Sequence, residues 1–294
     1  MIIVSGLTLT YPSGKGVFDL NFTVPKGVVM GYLGPNGAGK TTTLRALLGF
    51  MRPNSGNCLI GGLDCIKQAP QIQKKLGYIP GEISFPEDMN GDEFLAFMSA
   101  MRGVNCTERK NQLLDMLELD PRGRIKKFSK GMKQKLGIVA AFMHNPDVLV
   151  MDEPTSGLDP LMQNHFVELI LSAKANGKTI LMSSHIFEEV EKICDSVLII
   201  KDGRIIEQSD VQTLKDEQRR IFVIRPGEPD IAASILKAAG FDMQIGQNGE
   251  LEVSVSGEKV DAFVKTAAKF TVLNLSEKSQ SLEDIFITYY GNEE

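Results

Sequence analysis

An α/β fold followed by a smaller α+β domain is what this sequence predicts, on three observations. A short apolar run at residues 28–33 leads through a glycine-rich loop into residues 43–49, whose apolar spacing suits a helix with one buried face. A second run, Val148, Leu149, Val150 and Met151, is apolar throughout, as a strand of a buried parallel sheet must be, and it ends on two carboxylates. Residues 219–294 then read as strand, helix, strand, strand, helix, strand and a final helix, the order of a two-layer ferredoxin-like unit.

The glycine-rich loop carries the chemistry. Gly34, Pro35, Asn36, Gly37, Ala38, Gly39, Lys40 and Thr41 match the phosphate-binding pattern in the setting it requires, after a strand and before a helix. Glycines let backbone N–H groups turn inward, and the helix start adds partial positive charge. Lys40 is expected to reach the β- and γ-phosphates of a nucleoside triphosphate, Thr41 to ligate Mg²⁺, and Thr42 to complete the nucleotide-binding set. A plain glycine turn is the alternative, and the flanking strand and helix argue against it. The first domain is therefore read as a P-loop NTPase core, a mixed sheet with an antiparallel β subdomain and a helical subdomain. The loop specifies a nucleotide class and leaves the reaction open.

Composition sets the bounds. A chain of 294 residues has room for about two domains and a sizeable core. Its apolar fraction of 43% and charged fraction of 23% are those of an ordinary globular protein. No apolar run approaches the ~20 residues that span a bilayer, and the N-terminus has neither a basic start nor a small-residue cleavage site, so a cytosolic location is expected. Cys58, Cys65, Cys106 and Cys194 are scattered without metal-ligand spacing and read as reduced structural thiols. A formal net charge of −5 offers nucleic acid no overall attraction, and no nucleic-acid partner is expected.

Along the chain, residues 1–30 alternate around Leu7, Leu9 and Tyr11 and again around Phe18, Leu20, Phe22 and Val24, with a turn at Pro12, Ser13 and Gly14: an antiparallel pair. Tyr11 closes a strand beside a flexible loop, where its ring could stack on an adenine or be one more strand aromatic. Turns at 53–56 and 61–64 bracket a short strand at 57–60, residues 71–76 look helical, and 77–80 end the next strand. Residues 81–89 mix apolar and acidic side chains without a period and read as a loop with something to touch. From 91 to 141 the pattern is helical. Seven basic residues between Arg122 and Lys135 read as a solvated helix face, since nucleic-acid binding would want stacking aromatics beyond Phe128. Within that run Ser129 is a good N-cap for the helix through Leu136 and Val139, so free backbone N–H groups gather there as well.

The strand at 148–151 delivers Asp152 and Glu153, adjacent residues whose side chains point opposite ways and can do different work. Asp152 is expected in the Mg²⁺ shell, and Glu153 is expected to polarise an attacking water at the γ-phosphate. After a rigid loop at 154–159 and a helix closed near Gly177, the strand at 179–183 brings His185 to the same sheet edge, where it could donate to the γ-phosphate. His144 and His165 lack such placement and read as packing or surface residues. Residues 197–207 form a hairpin around Asp202 and Gly203. The composition turns polar at 210–217, which puts the boundary between a domain of residues 1–215 and an accessory domain of residues 219–294.

Taken together these residues resemble the ATP-binding subunit of ABC transporters, over residues 1 to about 215. Tyr11 matches that family's adenine-stacking aromatic, Gly34 to Thr41 its Walker A loop, and Ser129, Lys130, Gly131 and Met132 its signature motif. Val148 to Glu153 match the Walker B strand and catalytic Glu, 156–159 the D-loop, and His185 the switch histidine. The tail at 281–286, Ser-Leu-Glu-Asp-Ile-Phe, looks like subunits of the exporter branch whose membrane protein is a separate chain. The resemblance implies a head-to-tail dimer, with a second copy or a paralogous ATPase subunit. Each ATP would lie between the Walker A loop of one chain and Ser129 and Gly131 of the other. It also implies a separate transmembrane permease touched by the 81–89 loop, and a place on the inner face of the cell membrane. Two departures stand out: Lys130 and Met132 occupy signature positions usually Gly and Gln, and the Gln that usually follows the strand at 77–80 is Gly81, so Glu82 is expected to take the metal or water contact. The alternative is a non-transport ATPase of the same family acting on nucleic acid or the ribosome, which would be expected to carry coiled-coil insertions or two nucleotide domains. Neither is in the sequence, nor is the Asn-Lys-x-Asp of a GTPase.

Overall fold

The computed structural model describes residues 1–216, 220–246 and 249–278. The chain forms two compact units, residues 1–209 and 210–294, a boundary slightly before that expected from composition.

In the first unit, β1 (Ile2–Thr10) and β2 (Gly16–Val24) pair antiparallel, Ile2 opposite Val24 and Leu7 opposite Leu20. The alternation does not run cleanly to the end. Asp19 adopts a left-handed backbone (φ 52°) where the register shifts, so Val17 turns inward in place of the expected Phe18. Phe18 faces out instead, with the Arg204 guanidinium 5.4 Å from its ring centre. Next come β3 (Val29–Leu33), α1 (Lys40–Leu47), β4 (Ser55–Ile60) and β5 (Leu63–Asp64), and the first sheet runs β2-β1-β4-β5. Helix α2 (Ala69–Lys75) stops one residue before the sequence suggested, because Leu76 already opens β6 (Leu76–Ile79).

The long helical stretch resolves into α3 (Gly91–Arg102), α4 (Thr107–Met116) and α5 (Lys130–Phe142). Asn90 and Glu93 start α3 as a reciprocal capping box, each side chain accepting the other's amide at 2.8 Å. Gly103, at φ 67°, ends it in a conformation that suits glycine. The remaining elements of the unit are β7 (Val148–Asp152), α6 (Pro160–Ala175), β8 (Thr179–Ser184), α7 (Phe187–Ile193), β9 (Ser196–Lys201) and β10 (Arg204–Asp210).

These strands build a second sheet in the order β10-β9-β3-β8-β7-β6, parallel from β9 to β6. Its central strands β3, β7 and β8 are buried along their whole length, as strands covered on both faces are. Leu44, Leu47 and Leu48 share one core with Leu7, Leu20, Val150 and Leu181, which locks the phosphate-loop helix between the two sheets. Each such side chain removed from water contributes about 1.5–3 kcal/mol. Parallel pairing also has a geometric consequence: Leu33 lies beside Ser184, and Asp152 beside Ser183, so the C-terminal ends of three strands open on one edge.

The second unit begins with α8 (Val211–Asp216), so the polar stretch that reads as a linker is partly helical. It continues with β11 (Arg220–Pro226), α9 (Pro229–Ala238), β12 (Asp242–Ile245), β13 (Leu251–Val255), α10 (Val260–Ala267) and β14 (Val272–Lys278). All sheet neighbours are antiparallel in the order β12-β13-β11-β14, which is the ferredoxin-like arrangement. Phe263 anchors its core, stacked on Phe222 at 4.7 Å and edge-on to Phe241 at 5.6 Å. The expected helix at 282–290 and the 281–286 stretch lie outside the described residues.

Candidate active site

Strand β3 delivers the chain into a loop that only small residues allow. A side chain at Gly34 would bring its Cβ to 2.6 Å from the Ile200 carbonyl oxygen, and one at Gly39 (φ 111°) to 2.6 Å from Val17. Gly39 caps α1 without any side-chain hydrogen bond, which leaves the first amides of the helix free to face an anion. Gly37 (φ 85°) opens onto space. A cavity of about 340 Å³ lies there, lined by Pro35, Asn36, Gly37, Gly39, Lys40, Thr41, Thr42, Tyr11 and Glu153. Ala38 is buried beneath it, and its carbonyl accepts from the Gly203 amide at 3.0 Å.

Lys40 is 6% exposed, and its Nζ donates to the carbonyls of Gly34 (2.5 Å) and Pro35 (3.1 Å). Burial pushes its pKa down while Glu153 and Asp152 pull it up. An ammonium folded onto its own loop is one whose present partners are weak neutral acceptors that a phosphate can replace. Tyr11 borders the cavity with its hydroxyl 3.3 Å from Thr42 Oγ1 and 3.4 Å from Met51 Sδ, so the strand aromatic is tethered to the phosphate-loop helix.

The carboxylates sit at the neighbouring strand end. Asp152 is 3% exposed, and both its oxygens accept hydroxyl protons: Oδ2 from Thr41 at 2.7 Å and Oδ1 from Ser183 at 2.5 Å. The Ser183 hydroxyl in turn accepts the Glu153 amide at 3.0 Å. Glu153 itself has φ 46°, a left-handed conformation that costs a non-glycine residue about 1–3 kcal/mol and is characteristic of functional sites. Its carboxylate borders the nucleotide cavity, with Oε2 lying 3.5 Å from His185 Nδ1.

Thr41 and Asp152 are hard oxygen donors already in contact, the type Mg²⁺ takes. Among the described residues no three His, Cys, Asp or Glu side chains gather as a metal site. A second cavity of about 430 Å³ adjoins and is lined by Thr41, Asp152, Glu153, Glu82 and Lys130 among others. Glu82 therefore shares space with the metal-type donors. Gly81 leaves room: a Cβ there would stand 3.2 Å from Asp152 Oδ2. Tyr78 lines the same space, its phenol pushed up to about 12 by burial and by Asp152.

Ser129 and Gly131 are not among the residues lining the chain's own phosphate cavity. Ser129 caps α5, its Oγ accepting from the Met132 amide at 3.2 Å. Gly131 packs so close to Gly157 that a Cβ would come within 2.9 Å of its carbonyl oxygen. Lys130 turns back to donate to Ser156 Oγ at 3.1 Å. Of the other histidines, His144 Nε2 meets the Leu76 carbonyl at 3.2 Å, and burial lowers its pKa to about 4.

A family model described as "ABC transporter" matches residues 17–156, and one described as "AAA domain, putative AbiEii toxin, Type IV TA system" matches residues 122–191. The bacitracin transport ATP-binding protein BcrA of Bacillus licheniformis is 34% identical over 301 residues, covering 99% of this chain and 97% of its own. The chain belongs to the ABC transporter ATP-binding proteins. A solved ATP-binding subunit of an ABC transporter is 31% identical with a TM-score of 0.70, covering 73% of this chain and 92% of that one. A dimeric ATP-binding cassette solved in a post-hydrolysis state with ADP and Pi shares the fold at a TM-score of 0.62 and 20% identity, covering 72% of this chain and 99% of that one. This ABC subunit thus has the cassette fold of an ATP-binding, ATP-hydrolysing protein, and no helix among its described residues is long and apolar enough to cross a membrane.

Sequence reasoning missed Ser183, Ser13, Lys15 and the Thr155–Glu189 pair. Ser183 stood in an apolar strand with no motif to mark it, although strand-end position was the signal that found His185. Ser13 and Lys15 line the nucleotide cavity from the stretch after β1, where the sequence marks Ser13 only as a turn residue and Lys15 not at all.

Proposed function

We propose that this ABC subunit hydrolyses ATP to power export through a separate membrane-spanning permease, working at the inner face of the membrane with a second copy of itself or a paralogous ATPase. The observation that carries the reading is the divided site: one cavity collects Lys40, Thr41, Thr42 and Glu153, while Ser129 and Gly131 at the chain's other phosphate-type helix start do not line it. A partner's Ser129 and Gly131 would close the cavity over the γ-phosphate, so ATP joins the two chains and hydrolysis lets them part.

In this reading the amides of 37–41 and the α1 dipole bind the β- and γ-phosphates, and Lys40 exchanges its loop carbonyls for phosphate oxygens. Thr41 and Asp152 would hold Mg²⁺, with Glu82 in reach of the same space, and the ion would supply charge neutralisation to the triphosphate. Glu153 takes the proton of the attacking water, and His185 beside it holds the γ-phosphate. Tyr11 stacks on the adenine. The 81–89 loop touches the permease and passes on the motion. The name of the relative matched along 99% of this chain makes bacitracin the first substrate to test.

The deciding experiment compares wild type with Glu153→Gln. The variant should bind ATP, lose hydrolysis by about 100-fold or more and accumulate as a dimer in light scattering. Wild-type turnover by the variant, or monomers at saturating ATP, would overturn the reading.

A further inference from the structure

Glu189 lies within α7 and is 6% exposed. Its Oε2 accepts the Thr155 hydroxyl proton at 3.0 Å, and Thr155 is itself buried. Its Oε1 is buried with no hydrogen-bond partner among the described residues. Burial raises the carboxyl's pKa, opposed first by the Thr155 bond and then by His185 and the Ser184 hydroxyl nearby. A buried carboxylate with one unsatisfied oxygen costs stability, and an apolar side chain of similar size would pack there at lower cost. Packing therefore does not explain it.

Its position does. Thr155 belongs to the tight turn that leaves Glu153, closed by the Ser156 amide on the Glu153 carbonyl at 3.1 Å. Glu189 belongs to the helix that follows His185, whose entry is closed by the Ile186 amide on Ser184 Oγ at 2.9 Å. The Thr155–Glu189 bond thus ties together the two segments that present Glu153 and His185. Glu189 lines neither cavity of the site.

We propose that Glu189 is a positioning residue for ATP hydrolysis, which through Thr155 sets the spacing of Glu153 and His185. This rests on the reading of those two as the hydrolytic pair. The bond spans the two turns beyond the strand ends and adds to the Glu153 amide's contact with Ser183 and the Glu153–His185 contact, so losing it lets the carboxylate and imidazole drift apart without disturbing the phosphate loop.

The test measures ATP hydrolysis, ATP affinity and melting temperature of the full chain as wild type, Glu189→Gln, Glu189→Leu, Thr155→Val and the Leu/Val double variant, with Glu153→Gln alongside. Glu189→Leu and Thr155→Val should each lower kcat by about 10- to 100-fold, with KM for ATP within about twofold and melting temperature unchanged or higher. The double variant should be no slower than either single, because the two act through one bond. Glu189→Gln keeps an acceptor for Thr155 and should restore most of the rate. Thr155→Val, nearly isosteric, keeps the test open if Glu189→Leu fails to fold. The inference falls if Thr155→Val and Glu189→Leu turn over like wild type while Glu153→Gln is silent, if Glu189→Gln is as slow as Glu189→Leu, or if rate falls only in step with melting temperature. Wild-type turnover by Glu153→Gln would instead sink the assignment of the base, and this inference with it.

Discussion

Ser183 Oγ stands 2.5 Å from Asp152 Oδ1, and the same hydroxyl takes the Glu153 amide at 3.0 Å, so one serine on β8 holds both carboxylate residues at the end of β7. Ser183→Ala should leave Asp152 Oδ1 unsatisfied and loosen Glu153. The expected outcome is a destabilisation of about 1–3 kcal/mol in denaturant titration, with hydrolysis slowed and a higher Mg²⁺ concentration needed for half-maximal rate. Unchanged Mg²⁺ dependence would show that the serine does not orient the metal-side carboxylate.

Lys40 gives the opposite balance of stability and function. Its ammonium is buried against neutral carbonyls, and desolvation outweighs the nearby acids. Lys40→Ala should therefore leave the melting temperature nearly unchanged, while ATP affinity falls by about 10- to 100-fold, the worth of a charged hydrogen bond to phosphate. Thermal melts check the first half and calorimetric titration with ATP the second, where unaltered affinity would count against the loop assignment.

His144 sets an acid limit. Its folded pKa is lowered from 6.5 to about 4, by burial first and Arg102 second. Between those values the unfolded chain takes up a proton that the folded chain refuses, so stability is full above pH 6.5 and is lost as pH falls towards 4. Melting temperatures of His144→Gln across this range should fall less steeply than those of wild type. Parallel curves would assign the acid sensitivity elsewhere.

The cysteines should be silent in the native state. All four are free and buried, and burial pushes the thiols of Cys58 and Cys65 up to about 12 and that of Cys194 higher still. Since the thiolate is the reactive form, an aromatic disulfide reagent should label none at pH 8 until denaturant is added, and then all four. Rapid labelling of any one in native buffer would contradict its burial.

Local patterns made much of this legible. The phosphate loop, the paired carboxylates and the ferredoxin-like order all follow from residues close in sequence, where backbone freedom, N-capping and apolar period act over a few positions. The places where reading failed are also local conflicts. Phe18 has the right apolarity and parity, yet Asp19's left-handed turn slips the register and Val17 takes the core position. Residues 210–217 are polar enough for a linker but include a short helix.

By itself the sequence determined which groups can bind a triphosphate, because a glycine loop between a strand and a helix dictates where its amides point. Only the tertiary structure decided which residues meet across the sheet. Parallel pairing set Asp152 beside Ser183, and packing of α7 set Glu189 against Thr155, 34 residues away in the chain. Those contacts depend on strand order and on burial that excludes water, and neither property is written in any short stretch of residues.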